Sequence, residues 1–304
     1  MKTTQKLNRL LVAVIVSATL FISCSKENSE TQDLSAEDET QALQYSTEAS
    51  AEADIIFNSI FDDVMGANDE VGMAGLGIFG SMAPTESGQT NRVTACFTVT
   101  INRTPNTTFP LEIILDFGTG CQGRDGITRS GKMKTTYTNR MLMPGAKATT
   151  VFENFKMNDI SISGTHEITN TSTATVFQYN VVVENARLSK PNGNYIEWNS
   201  NKTISQISGL GTPFIPLDDI YQVTGMSNGK TKRGDVLVAW KNEITHPLVK
   251  KFSCRWVVEG RISTVRENSR TNTPWVAVLD FGNGTCDNKA TISINGSVYE
   301  ISLL

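Results

Sequence analysis

Leu111-Glu112-Ile113-Ile114-Leu115-Asp116-Phe117-Gly118-Thr119-Gly120-Cys121 and Trp275-Val276-Ala277-Val278-Leu279-Asp280-Phe281-Gly282-Asn283-Gly284-Thr285-Cys286 are two versions of one stretch. In each, an apolar run reaches Asp-Phe-Gly, breaks at a second glycine and ends on cysteine. Such a run has the length and β-branched content of a strand, and the paired glycines mark a sharp turn with the cysteine at its exit. A further cysteine precedes each copy in a strand-like run: Cys96 in Thr94-Ala95-Cys96-Phe97-Thr98-Val99, and Cys254 in Phe252-Ser253-Cys254-Arg255-Trp256-Val257.

Outward from these copies the hydrophobic period stays at two from residue 92 onward, and the breakers are Gly, Asn and Pro. Strand candidates follow one another at 93–101, 109–117, 127–137, 148–157, 160–168, 175–188, 195–204, 220–226, 235–244, 252–265, 275–281 and 290–303, with no helix between them. Pro191-Asn192-Gly193-Asn194 and Ser227-Asn228-Gly229-Lys230 read as hairpin turns of the Asn-Gly kind. Sequential strands on short loops pair antiparallel. The expected fold is therefore all-β: a large curved antiparallel meander, as a half-barrel or two layers, with one N-terminal amphipathic helix packed on it.

Before residue 92 the chain changes character. Lys2, Lys6 and Arg9 precede an apolar run from Leu10 to Ile22 that is too short to span a bilayer and stops at Ser23-Cys24. These are the flanks of a secretory signal over 1–23. Leu20-Phe21-Ile22-Ser23-Cys24 resembles the bacterial lipobox, which implies cleavage before Cys24 and a lipid on its sulfur. Residues 24–47 are acidic and poor in apolar side chains, and read as a disordered tether. Within 48–91 a helix is expected first. Ala49, Ala53, Ile56, Phe57, Ile60, Phe61 and Val64 recur at three- and four-residue steps, with Glu48, Glu52, Asp54, Asp62 and Asp63 on the remaining surface. Acids in place of Lys and Arg on the polar face argue against a membrane-lying helix and for one packed on the sheet. A glycine-rich apolar connector follows the helix. The full chain carries a formal charge of −4, and loss of 1–23 with its three basic residues takes the mature charge to −7. That balance argues against nucleic acid and against anionic headgroups as the main partner.

Trp198-Asn199-Ser200-Asn201-Lys202-Thr203, Cys254-Arg255-Trp256-Val257-Val258-Glu259-Gly260, the second Asp-Phe-Gly stretch and Ile294-Asn295-Gly296-Ser297-Val298-Tyr299-Glu300-Ile301 resemble a family of Bacteroidetes lipoproteins of no known activity. The resemblance covers most of the β region. It implies an exported all-β lipoprotein and transfers no functional residue. Ser25-Lys26-Glu27 resembles the acidic export signal of surface lipoproteins in that group. The expected address is the outer membrane, facing the periplasm or the cell surface.

Chemistry is sparse. Asp-Phe-Gly invites a kinase reading, but there is no His-Arg-Asp loop, glycine-rich phosphate loop or partner lysine motif. Calcium at Asp116/Asp125 or Asp280/Asp287 competes with a simpler reading, in which each carboxylate bonds amides of its own turn. His166 in a strand and His246 in a loop are the two histidines, and neither has zinc-ligand spacing. No motif calls for a cofactor. Glu112, Glu153, Glu184, Glu197 and Glu259 lie in strands, where a solvated face is the usual role. Trp240 and Trp256 alternate with apolar residues and read as core. Tyr195 and Trp198 have opposite parity near a hairpin, so one of them faces outward, and the pair is the candidate ligand site.

Export places the remaining cysteines in an oxidising compartment. In an antiparallel hairpin the end of the second strand returns beside the start of the first. Cys96 is therefore expected to bond Cys121, and Cys254 to bond Cys286. Cross-pairing, four buried thiols and a four-cysteine metal site are the rivals, the last disfavoured by the lack of Cys-x-x-Cys. The functional expectation is a non-catalytic cell-envelope lipoprotein that binds a glycan, lipid or protein. An envelope polysaccharide hydrolase and a structural or adhesive surface protein are the alternatives. A convergent acidic pair in a cleft would favour the hydrolase, a deep apolar cavity lipid, and a flat face with exposed Tyr195 or Trp198 glycan or protein.

Overall fold

The computed structural model describes residues 34–67, 96–123, 125–210, 218–251, 253–267 and 275–303. The signal segment, Cys24 and the glycine-rich connector lie outside them, as does the start of the first strand candidate. The described residues form one helix, α1 (Ala36–Ala67), and fourteen strands: β1 (Thr98–Arg103), β2 (Leu111–Asp116), β3 (Cys121–Gln122), β4 (Thr128–Tyr137), β5 (Lys147–Met157), β6 (Ile160–Asn170), β7 (Gln178–Ser189), β8 (Tyr195–Ser208), β9 (Ile220–Arg233), β10 (Val236–Lys251), β11 (Val257–Arg266), β12 (Val276–Asn283), β13 (Lys289–Ile294) and β14 (Ser297–Ser302). They make one sheet in sequence order, with the short β3 paired off the path to β4, and the sheet does not close into a barrel. Every pairing is antiparallel.

Bulges bend the sheet. The register of β6 on β7 shifts beside Gly164, whose φ is 115° and where a Cβ would lie 2.7 Å from the Cα of Ala186. The extra residue on one strand coils the pair locally. Similar shifts occur between Ser130 and Lys132 and between Glu259 and Arg261.

Two turn readings need correction. Asn228-Gly229 is not a hairpin turn. It lies inside β9, with Gly229 opposite Trp198 on β8 and Trp240 on β10. A Cβ at Gly229 would sit 2.7 Å from the Trp240 ring, so the glycine makes room for tryptophan. The β9–β10 turn is Gly234-Asp235, between the paired Arg233 and Val236. The candidate strand 290–303 is in fact two strands. Asn295 and Gly296, at φ 47° and 84°, turn the chain between β13 and β14. Pro191-Asn192-Gly193-Asn194 does join β7 to β8, with Gly193 at φ 82° and Lys190 N bonded to Asn194 O.

The helix also differs from expectation. It begins at Ala36, inside the segment read as tether. Ser35 caps it: its Oγ accepts from Asp38 N at 3.2 Å and donates to the Asp38 carboxylate at 2.7 Å. Glu37, Asp38 and Glu39 favour the positive end of the helix dipole. Ser46 and Thr47 are fully buried, and each returns its hydroxyl to a carbonyl one turn earlier at 2.8 Å.

The sheet curls around this helix. From residue 42 to 66 no position of α1 is exposed, and α1 meets β5 and every strand from β8 to β13. The acids that look like a solvated face are paired with the sheet. Glu39 bonds Arg266 on β11 at 2.7 Å and Glu48 meets Arg233 on β9. Glu52 bonds Lys190 after β7 at 2.7 Å, and Asp54 meets Lys202 on β8. Asp62 bonds Lys250 on β10 at 2.7 Å, and Asp63 bonds Arg129 on β4 at 2.8 Å.

Beneath the helix, one register row crosses the inner face as Thr135, Thr150, His166, Val183, Ser200, Ser227, Asn242, Thr264 and Ala277, all buried. These short side chains give the helix room to sit close. Asn242 bonds Ser50, and Thr135 and Thr150 share a hydrogen bond at 2.9 Å. Phe57 stacks on Trp198 at 5.2 Å and on His166 at 6.0 Å. Trp240 is fully buried as expected, whereas Trp256 is only half-buried at the margin of the core.

Both disulfides are present, Cys96–Cys121 and Cys254–Cys286, with Cα separations of 5.3 and 5.9 Å. Closing loops of 25 and 32 residues, each contributes about 3–4 kcal/mol by constraining the unfolded chain.

The buried Asp54–Lys202 pair generates a test. Lys202→Met leaves a carboxylate buried without its cation, and should cost about 3–5 kcal/mol in urea unfolding. Adding Asp54→Leu should recover most of that loss. A single-variant loss under about 1 kcal/mol contradicts the buried pairing.

Candidate functional site

A cavity of about 260 Å³ lies between the last turns of α1 and the sheet. Ile55, Phe61 and Met65 line it from the helix, and Phe177, Ile204 and Tyr221 from the sheet side. Two adjacent register rows supply the sheet wall. Tyr179 stands opposite Ile204, and in the next row Gln206 stands opposite Tyr221, which pairs with Lys250. The polar tips of the wall are engaged. Tyr179 donates to the carbonyl of Met141 at 3.3 Å, and Tyr221 donates to Asp219 at 2.9 Å. Gln206 Nε2 donates to the other oxygen of Asp219 at 2.7 Å. Burial raises both tyrosine hydroxyls, and the Asp219 carboxylate adds to that for Tyr221. Burial also raises Asp219, against the hydrogen bonds from Tyr221 and Gln206.

The charges at the cavity are arranged in pairs. Lys250 gives two hydrogen bonds to Asp62, at 2.9 and 2.7 Å. Deeper, Arg129 is fully buried and binds Asp63 at 2.8 Å, Ser59 at 2.7 Å and Asp125 at 3.0 Å. Burial pushes the Asp63 carboxyl up to about 7, while the Arg129 guanidinium pulls against it.

The two disulfides frame the mouth. Cys121 lies just before the turn that carries Asp125 and Ile127, and Cys254 lines the cavity next to Arg255. Arg255 Nη1 donates to the carbonyl of Asp125 at 3.0 Å, joining the two loops. The duplicated stretch thus brings both of its copies to one place. Its aspartates serve their own turns: Asp116 accepts from Gly118 N at 3.0 Å and Asp280 from Gly282 N at 2.9 Å. Asp125 and Asp287 do the same for Ile127 N at 3.0 Å and Lys289 N at 2.9 Å. Backbone bonding leads the downward shift of Asp116. For Asp280 burial opposes the shift, and the Gly282 amide and Arg261 overcome it. Among the described residues no group of three or more His, Cys, Asp or Glu gathers to hold a metal.

The candidate ligand pair does not share a surface. Trp198 is buried against Phe57, and Tyr195 is half-buried with the Arg187 guanidinium 3.8 Å from its ring centre. The strand glutamates do not converge on a cleft. Glu153 bonds Lys134, Glu197 bonds Arg187 and Glu112 accepts from Asn102, while Glu184 and Glu259 are exposed. His246 is not in a loop but inside β10, exposed, where the register shifts before Pro247. His166 is fully buried, and both of its nitrogens lack a hydrogen-bond partner among the described residues.

Of the cavity residues, Phe61, Asp62, Asp125 and Cys254 were singled out from sequence for other roles, and none as a binding site. Ile55 and Met65 lie off the apolar stripe of α1, and that second apolar face was the available signal. The chain matches no protein-family model, no curated protein and no solved structure.

Burial pushes His166 down to about 3, well below the ordinary 6.5. The folded chain therefore binds fewer protons than the unfolded chain below pH 6.5, and stability is lost as pH falls. His166→Phe removes this term and keeps a flat ring against Phe57. Between pH 6.5 and 5, wild type should lose about 2 kcal/mol relative to that variant in urea unfolding. A difference that does not change with pH contradicts a buried neutral histidine.

Proposed function

We propose that this chain is a non-catalytic cell-envelope lipoprotein, anchored through a lipid on Cys24, that binds the apolar part of a small lipid-like molecule beside the end of α1. The observation that carries the reading is the cavity of about 260 Å³, walled largely by aliphatic and aromatic side chains. Preformed apolar hollows with a few fixed polar groups are the usual form of a small-molecule site. The hydrolase reading finds less support. Asp62 and Asp125 both line the cavity, but each is tied to a cation, through Lys250 and Arg129. A glycan platform of Tyr195 and Trp198 finds less still, with Trp198 under the helix. Among the described residues no helix is long and apolar enough to cross a membrane, and attachment through Cys24 needs none.

The test is to fill the cavity. Ile204→Phe adds volume at the wall without touching the ion pairs of α1. Phenylnaphthylamine, an uncharged fluorescent probe, should bind the wild type, and the variant should bind it at least about tenfold more weakly with an unchanged circular dichroism spectrum. Equal affinity in the two proteins removes the cavity as the binding site. An acyl mass on Cys24 in the mature protein tests the anchor separately, and its absence removes that part of the reading.

A further inference from the structure

Among the described residues, Arg255 is the cavity-lining cation that no carboxylate pairs, and its guanidinium lies 5.8 Å from the Trp256 ring centre. Lys250 is held by both oxygens of Asp62, and Arg129 by Asp63 and Asp125. Lys250 neutralises Asp62, while the single charge of Arg129 is shared by Asp125 and Asp63, and burial favours the neutral form of Asp63. Arg255 is exposed at the mouth, and its one hydrogen bond among the described residues goes to a neutral acceptor, the carbonyl of Asp125. A guanidinium carries five donors in a planar fork suited to carboxylate or sulfonate oxygens. Here one N–H fixes its position and the others remain available.

The loop that carries Arg255 is stapled one residue earlier by Cys254–Cys286, and the loop that accepts its hydrogen bond follows Cys121 of the other disulfide. The cation is therefore held at the entrance, with the Phe61, Phe177 and Tyr221 wall inside. We infer that the cavity takes an anionic amphiphile: an apolar acyl or aryl body in the hollow and a single acidic head on Arg255. This rests on the cavity reading above and adds the charge of its ligand. The overall negative charge of the chain does not decide the matter. Exposed charges more than about 10 Å away are screened at 0.1 M salt, and the group at the entrance acts at contact distance.

Two probes with the same ring body separate the parts of the inference: uncharged phenylnaphthylamine and anionic anilinonaphthalenesulfonate. Both are titrated by fluorescence against the folded, disulfide-intact protein at fixed ionic strength. The sulfonate should bind wild type more tightly than the neutral probe. Arg255→Gln should weaken the sulfonate about tenfold and leave the neutral probe within about twofold, while Arg255→Lys retains most of the preference. If Arg255→Gln weakens both probes alike, Arg255 acts only as a tie to the Asp125 carbonyl and the inference is overturned. It is also overturned if the wild type shows no preference for the sulfonate. Failure of the neutral probe to bind wild type would instead overturn the cavity reading beneath it.

Discussion

A helix that carries six carboxylates into the hollow of a β-sheet must find six cations there. Removing the most buried of these, Asp54 and Asp63, from water costs several kcal/mol each, and close pairing offsets it, while Glu48–Arg233 stays partly in solvent. The sheet supplies one cation at each of six places, from Arg129 on β4 to Arg266 on β11. Shifting α1 along its 32 residues, about 48 Å of helix, or turning it about its axis would break most of these pairs together. The ion pairs thus act on specificity more than on net stability. All six are met at one depth and one rotation of the helix. The short residues of the inner row leave the space, and the charges decide how it is used.

The same placement leaves the cavity. Where α1 ends, Phe61 and Met65 no longer face close-set small side chains but the aromatic ends of β7 and β9, and the two do not fill the gap. The loops at its entrance cannot drift apart freely, because each is stapled to its own hairpin and Arg255 ties one to the other. Structural roles and the proposed binding role therefore converge on the duplicated stretch: its strands build the sheet near both edges, its aspartates close turns, and its cysteines lie by the entrance.

Much of the architecture was legible in the sequence. Period-two alternation and short loops pointed to an antiparallel meander, and the duplicated stretch pointed to two local disulfides rather than crossed ones. The failures have physical causes. Asn228-Gly229 has turn chemistry, but Gly229 answers to the Trp240 ring and the Glu197 carbonyl on neighbouring strands, which no local window shows. Asn295-Gly296 has the same chemistry and does turn, so the dipeptide alone does not discriminate. The start of the helix read as tether because Glu37 and Asp38 are indeed exposed and the cation that meets Glu39 is far along the chain. Glu39 meets Arg266 at a separation of 227 residues. The Ser35–Asp38 capping box was the local sign that the helix starts there. The cavity was hidden for a related reason: Ile55, Ile127, Phe177 and Tyr221 come from distant segments, and only the curl of the sheet brings them together.

If the sheet is organised around α1, the helix cannot leave its place while the sheet stays folded. Native-state hydrogen exchange measures this directly. The amides of residues 42–66 should exchange as slowly as the central strands β7 to β10, through the same global unfolding event. Helix amides exchanging orders of magnitude faster, with the strands still protected, would show that α1 is an accessory to a sheet that stands without it.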